Sequence, residues 1–329
     1  MSIEIKSPQE LVSIIIPTYN RPAYLKEAIF SVLQQTYQNI EVIVSDDFSN
    51  ENPQPIVDAF NDPRVRLRRN ETNVGVGLNA TYAFKEAKGK YVASLNDDDV
   101  WQKDFLEKLV PHLEANPEVV LAFCDFYIID IEGKVDQKLT DEQTRREKRQ
   151  DLKAGIYKPF YRLGLIDKAV FSASAAVVRN SSVQWDKLYE AGVFWDYYII
   201  YLSCRSGQGA YYHPEKLAFY RVHQQSETMI SGSKNAQAKI RKGKAAIFCC
   251  QTFIEDPVLQ EFKPYFEKQL AHDNTTLAIG LLRVGQVKEA RPYLLKAIAG
   301  QKFNLRTLAA LTLSYTPQPI ARQFLGVAK

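Results

Sequence analysis

The sequence predicts an α/β protein built on an open, mostly parallel sheet flanked by helices, with a helical region after about residue 231. Three observations predict it. Strand-like and helix-like segments alternate from residue 12 to about 130, the pattern of right-handed crossovers between parallel strands. The first strand, residues 12–17, is β-branched with apolar residues on both parities, as expected where both faces are covered. After about residue 231 strand signals stop, and the rest of the chain reads as helix.

Each element follows in order. Asn20 and Pro22 punctuate a turn into a helix whose apolar positions Leu25, Ile29, Val32 and Leu33 recur at helical spacing. A strand at 40–45 ends on Asp46 and Asp47, and a shorter one at 65–68 follows the turn Asn61-Asp62-Pro63. Asn73, Gly75 and Gly77 precede a helix over 78–87, and the apolar run 91–95 delivers Asn96, Asp97, Asp98 and Asp99. Residues 103–113 form an amphipathic helix, and 119–129 form a strand. The charged stretch 132–151, with Arg145, Arg146, Lys148 and Arg149, reads as a solvated helix or mobile loop, with an active-site flap as its functional alternative. Strand signals resume at 171–178. Trp195 and Asp196 precede a helical stretch, and 209–221 read as strand, turn, strand, running into Arg221 and His223. Leu277, Leu281, Leu282, Gly285, Ala290, Leu294 and Ile298 outline one helix pair of tetratricopeptide type, too little to stand alone. The expected division is 1–130, 131–230 and 231–329.

Composition narrows the class. An apolar content of 46% and a charged content of 24% are those of a globular enzyme. A net charge of +4 gives no argument for a nucleic-acid partner. Cys124, Cys204, Cys249 and Cys250 lack metal spacing and read as reduced thiols, hence a cytoplasmic protein. No run approaches the roughly 20 apolar residues of a membrane span, so at most peripheral membrane association is expected.

The chemistry concentrates at strand ends, where ligands of such sheets bind: Thr18, Tyr19, Asn20, Asp46, Asp47 and the tetrad 96–99. Several carboxylates at one strand end suit a hard cation such as Mg²⁺ or Mn²⁺ and, through it, a diphosphate. The same residue types also form turns and helix caps, which is the bland alternative for the tetrad. A nucleotide needs a stacking surface, an acceptor for base or ribose donors, and a cation, and these strand ends offer all three. The phosphate loop GxxxxGK[ST] is missing, and Gly75-Val-Gly77 lacks the third glycine of a dinucleotide fingerprint.

The series Val12-Ser-Ile-Ile-Ile-Pro17-Thr-Tyr-Asn20-Arg, Val44-Ser-Asp46-Asp47-Phe-Ser49, Asn73-Val-Gly75-Val-Gly-Leu-Asn79 and Gly89-Lys-Tyr-Val-Ala-Ser-Leu95-Asn-Asp-Asp-Asp99 resembles the family-two inverting glycosyltransferases of the GT-A fold, over residues 11–225. The resemblance implies that Pro17 and Tyr19 line the base pocket, with Tyr19 stacking and Asp47 accepting a ring N–H. Asn73 and Asn79 would frame the nucleotide site. The family pattern Asp-x-Asp-Asp becomes Asn-Asp-Asp-Asp here, so either Asn96 or Asp97 meets the ribose. Asp98 would hold the metal, and Asp99 would support it or cap the next helix. Asp196 matches the downstream acidic position of the general base, and beside it Trp195 reads as sugar platform or core. In Tyr220-Arg-Val-His223, His223 would reach metal or diphosphate, and Arg221 would add charge. The implied activity is transfer from a nucleotide sugar, with uridine favoured, to a saccharide or lipid-linked saccharide hydroxyl. The implied setting is surface polysaccharide or glycoconjugate assembly, with the helical C-terminus serving membrane association or oligomerisation. The rival readings are a sugar nucleotidyltransferase, for which the loop after the first strand is wrong, and a non-catalytic scaffold, which only Asn96 favours.

Overall fold

The structure is a computed structural model that describes residues 9–171, 173–226, 229–230, 235–300, 303–317 and 324. Two compact units emerge: residues 1–189 with 195–222, and residues 190–194 with 223–329.

The first unit carries a nine-stranded sheet of order β3-β2-β1-β4-β8-β6-β9-β5, with β7 paired to β9. Its strands are β1 (Val12–Thr18), β2 (Ile40–Asp46), β3 (Val65–Arg69), β4 (Tyr91–Ser94), β5 (Val100–Trp101), β6 (Val119–Ile129), β7 (Gly155–Tyr157), β8 (Ala176–Arg179) and β9 (Gly209–Arg221). Strands β1 to β4 run parallel to one another, as do β6 and β9, while β8, β5 and β7 oppose their neighbours. Every residue of β1 is buried, so the chain alternates only at the level of sheet faces, and apolar side chains are needed on both.

Helices α1 (Pro22–Leu33), α2 (Gln54–Ala59), α3 (Val76–Lys85) and α4 (Phe105–Ala115) complete the crossovers. Pro22 starts α1 at a position where its missing N–H costs nothing. The amphipathic stripe of α4 buries Phe105, Leu106, Leu109, Val110 and Leu113, joining a core that includes Ile14, Ile16, Val42, Val44 and Val177.

Four sequence expectations change. Residues 209–221 form one strand, β9, which absorbs its irregularity as register shifts against β6 instead of turning. The expected strand at 171–178 is the shorter β8, because the chain before it loops across to the acidic tetrad. The charged stretch is α5 (Gln137–Arg146) followed by a 3-10 turn, Arg149–Asp151, and it is not wholly solvated. Arg149 is 2% exposed, with Nε 2.7 Å from Asp125, and Lys216 lies 2.9 Å from the other oxygen of Asp125. Asp104, not Asp99, is the residue before α4, and its side chain makes no cap hydrogen bond.

The second unit is helical: Ala236–Glu255, Lys263–Arg283, Val287–Ala299 and Leu305–Tyr315. Its core gathers Ile240, Ile247, Leu277, Leu281, Leu282, Ala290 and Leu294. A Cβ on Gly243 would lie 2.7 Å from that of Leu277, so this glycine sets how closely the two long helices approach. All four cysteines are buried thiols outside any disulfide.

Candidate active site at the strand ends

Parallel register brings the ends of β1 and β2 side by side, with Thr18 opposite Asp46, and Ile15 of β1 pairs with Ser94 of β4. The loops beyond are stitched together. The Asp47 N–H donates to the Thr18 carbonyl at 3.0 Å. The Asn20 N–H donates to Ser49 Oγ at 2.8 Å, and Asn20 Oδ1 accepts from the Asn50 N–H at 2.7 Å. Asn20 takes a left-handed φ of 56°, a conformation asparagine tolerates better than most residues. Pro17 stays within β1 opposite Ser45, while Tyr19 beyond the strand is 46% exposed.

Asp47 is buried and held by a loop. Its Oδ1 accepts from the Val74 N–H at 2.8 Å and from Asn70 Nδ2 at 3.0 Å, and its Oδ2 accepts from the Gly75 N–H at 2.8 Å. Gly75 has φ +87°, which lets successive amides face the carboxylate at the start of α3. Asn73 Nδ2 donates to the Asp47 carbonyl at 3.1 Å. Asn79 is buried, and its amide is engaged by Ser45 and Asn70, so its side chain braces the scaffold beneath Asp47.

The tetrad divides into two jobs. Asp99 is fully buried and accepts from Ser174 Oγ, from the Arg221 N–H at 2.9 Å and from Asn96 Nδ2 at 3.2 Å. It ties β4 to β9 and to the loop before β8, instead of capping a helix. Asp97 accepts from Thr18 Oγ1 at 2.8 Å. Arg21 Nη1 reaches Asp97 at 3.0 Å and Asp98 at 2.8 Å. Burial, and then the charge of Asp98, push the Asp97 carboxyl up to about 6, against the opposing pull of Arg21 and Thr18. The same two causes hold Asp99 well above the carboxylate range. This is a site built with excess negative charge.

Arg221, expected to add free charge, is 2% exposed and committed to structure. Its Nε donates to the Asp98 carbonyl at 2.9 Å, and Nη2 pairs with Glu27 at 2.6 Å. Sequence reasoning assigned no role to Arg21, Ser174 or Asn70. Asn70 directly follows β3, so the rule that strand ends carry function points to it. Ser174 has no such signal, because its partner Asp99 is 75 residues away.

Asp196 is the second residue of α6 (Trp195–Cys204), half-buried, with Oδ1 accepting from the Tyr197 N–H at 2.8 Å. Burial pushes its carboxyl up to about 6. Trp195 is buried and packs beside Phe84 with ring centroids 6.1 Å apart, which makes it core and not platform. His223 opens the second unit, is buried, and its carbonyl accepts from Ser226.

Residues 13–171 match the family described as Glycosyl transferase family 2. The match spans 159 of the chain's 329 residues, just under half. Among curated relatives, it is 37% identical over 115 residues to the glycosyltransferase GlyG of Streptococcus pneumoniae, covering 34% of this chain and 38% of that protein. It is 40% identical over 106 residues to the UDP-Glc:alpha-D-GlcNAc-diphosphoundecaprenol beta-1,3-glucosyltransferase WfgD of Escherichia coli, covering 32% and 42% respectively. The chain thus matches less than half the length of these two relatives. Its fold is similar to that of S. aureus TarS residues 1–349 in complex with UDP-GlcNAc, with a TM-score of 0.61 and 15% identity over 95% of this chain and 92% of that one. It is also similar to that of the mannosyltransferase PcManGT of Pyrobaculum calidifontis, in complex with GDP-Man and Mn²⁺, with a TM-score of 0.54 and 17% identity over 98% and 85%. The chain therefore has the GT-A fold.

Among the described residues, no group of three or more His, Cys, Asp or Glu side chains is arranged to hold a metal ion. What the tetrad offers is Asp97 and Asp98, two hard oxygen donors already sharing one cationic partner. That donor set fits Mg²⁺ or Mn²⁺, which bind through one or two carboxylates and complete their shell with substrate phosphates and water.

Proposed function

We propose that this chain transfers a sugar from a nucleoside-diphosphate sugar, UDP-linked by preference, to an acceptor hydroxyl with inversion at the anomeric carbon. The observation that carries this reading is the convergence of the β1, β2 and β4 ends through the Asp47–Thr18, Thr18–Asp97 and Arg21–Asp98 contacts. Residues 1–130 bind the donor, 131–230 the acceptor, and 231–329 form the helical region.

Tyr19, exposed beyond β1, stacks on the base above Pro17. Asp47 reads it: Oδ2 accepts one N–H and retains capacity for a second, the N3–H of uracil. Thr18, Asn20, Asn73 and Asn79 shape the nucleotide loops, and Asn96 or Asp97 meets the ribose. Asp98 would hold Mn²⁺ or Mg²⁺, which would supply Lewis-acid neutralisation of the departing diphosphate. Asp196 takes the proton of the acceptor hydroxyl as its oxygen attacks the anomeric carbon and the bond to diphosphate breaks. A carboxylate raised to about 6 is largely ionised near neutrality yet basic enough to help.

The name of WfgD points to a lipid-linked acceptor, hence to surface polysaccharide or glycoconjugate assembly at the inner face of a membrane. No helix among the described residues is long and apolar enough to cross a membrane. Peripheral docking through the helical unit is supported by its surface. Residues 223–329 carry 15 Lys and Arg against 7 Asp and Glu, and Phe303, Leu305 and Tyr315 are exposed. Incubation with a panel of UDP-, dTDP- and GDP-sugars plus Mn²⁺ tests the activity. Release of nucleoside diphosphate from one of them is expected, and none from any donor would favour a non-catalytic scaffold.

A further inference from the structure

Arg21 lies in the turn after β1, directly before α1, and its guanidinium faces the tetrad across the strand ends. A single nitrogen, Nη1, stands 3.0 Å from Asp97 and 2.8 Å from Asp98. Two adjacent carboxylates buried in one place repel each other unless a cation sits between them. The Arg21 side chain is 21% exposed, whereas those of Asp97 and Asp98 are 4% and 9% exposed. The cation thus covers the carboxylates from the open side.

We propose that Arg21 is a resident counter-cation: it neutralises the Asp97–Asp98 pair while the site is empty and passes to the donor's diphosphate when a divalent cation takes Asp98. The proposal rests on the metal role assigned to Asp98 under Proposed function. A guanidinium is suited to this exchange, since its planar fork matches a carboxylate and a phosphate equally well and it stays charged throughout. Two consequences follow from linkage. Metal alone binds weakly, because it must displace a charge already in place. Diphosphate strengthens metal binding, and metal strengthens diphosphate binding by the same factor, because Arg21 then has an alternative anion.

The test is an Mn²⁺ binding isotherm, read by electron paramagnetic resonance of the free ion, for the intact wild-type chain and for Arg21→Met, each with and without UDP. The expected result is that Arg21→Met binds Mn²⁺ alone on the order of tenfold more tightly than wild type. UDP should improve Mn²⁺ affinity more in wild type than in the variant. Equal Mn²⁺ affinities overturn the proposal. If neither protein binds Mn²⁺ alone but wild type binds it with UDP, the Arg21 proposal is overturned and the metal reading stands; if wild type does not bind Mn²⁺ even with UDP, both fall. Should Arg21→Met fail to fold, ¹⁵N resonances of arginine side chains in wild type decide. The Arg21 Nε signal, assigned from its loss in Arg21→Lys, must shift on adding Mg²⁺ with UDP, and an unmoved signal overturns the proposal.

Discussion

Asp196 shows how one carboxyl is prepared for two demands. At the start of α6 it is screened from water enough to be raised to about 6, while the Tyr197 N–H partly stabilises its charged form. The proposed base works ionised, so transfer should rise with pH through about 6 and level off above 7, falling about tenfold per unit below 5. A pH–rate profile at saturating donor checks this, and a flat profile between 5 and 7 contradicts it. Replacing Asp196 by Asn should lower kcat by about 10²- to 10⁴-fold, the usual worth of a general base. UDP affinity should stay within about twofold, since the residue is not assigned to the nucleotide; calorimetry separates the two effects. Persisting transfer would move the base elsewhere. Asp99 is the counter-example within the tetrad, for its three donors from Ser174, Arg221 and Asn96 make it a structural tie despite its place in the motif.

At the scale of elements, the segment after β6 departs furthest from its appearance in the sequence. A run dense in Arg, Lys, Asp and Glu reads as solvent-facing, because charge is costly to bury. Arg149 is nonetheless buried against Asp125 and Glu147, with its guanidinium 4.4 Å from the centre of the Phe126 ring. It fastens the end of α5 onto β6. Removing it by Arg149→Met leaves buried Glu147 with the more distant Arg146, 4.0 Å away, and Asp125 with Lys216 and the Thr144 hydroxyl. That should cost about 3 kcal/mol of stability, measured by urea unfolding, and a loss under about 1 kcal/mol would show the pair is dispensable. Elements whose residues touch their sequence neighbours were legible: β1, α1, β2 and α4 follow from β-branched runs, Pro22 and an apolar stripe. The continuity of β9 was not, since the bulges against β6 that replace a turn depend on a strand about 90 residues away. The convergence of the β1, β2 and β4 ends was legible because several motifs fall at the same topological position. The bracing by Asn70, Ser174 and Arg221 was not, because each partner is distant in sequence.

On the scale of the whole chain, the two units differ in character. The first builds the sheet and the acidic strand ends. The second is basic and, in its last long helix, buries Thr307, Ala310 and Ser314 while turning Leu305 and Leu308 outward. An apolar surface on a basic unit suits an anionic bilayer. Co-sedimentation with phosphatidylglycerol vesicles should capture the protein at low salt, and Leu305→Glu with Leu308→Glu should reduce the bound fraction several-fold. Equal binding to phosphatidylcholine vesicles, or none to either, would contradict a membrane-facing role. The strand ends are proposed to form a metal-assisted site for a nucleoside diphosphate. The most direct measurement is thermal unfolding of wild type and Asp98→Asn with UDP, with Mn²⁺, and with both, since a ligand at a hundred times its Kd stabilises the folded state by about 2.7 kcal/mol. A rise of several degrees is expected for wild type with UDP and Mn²⁺ together, largely lost in Asp98→Asn. No rise in wild type at millimolar UDP and Mn²⁺, or an equal rise in Asp98→Asn, would contradict it.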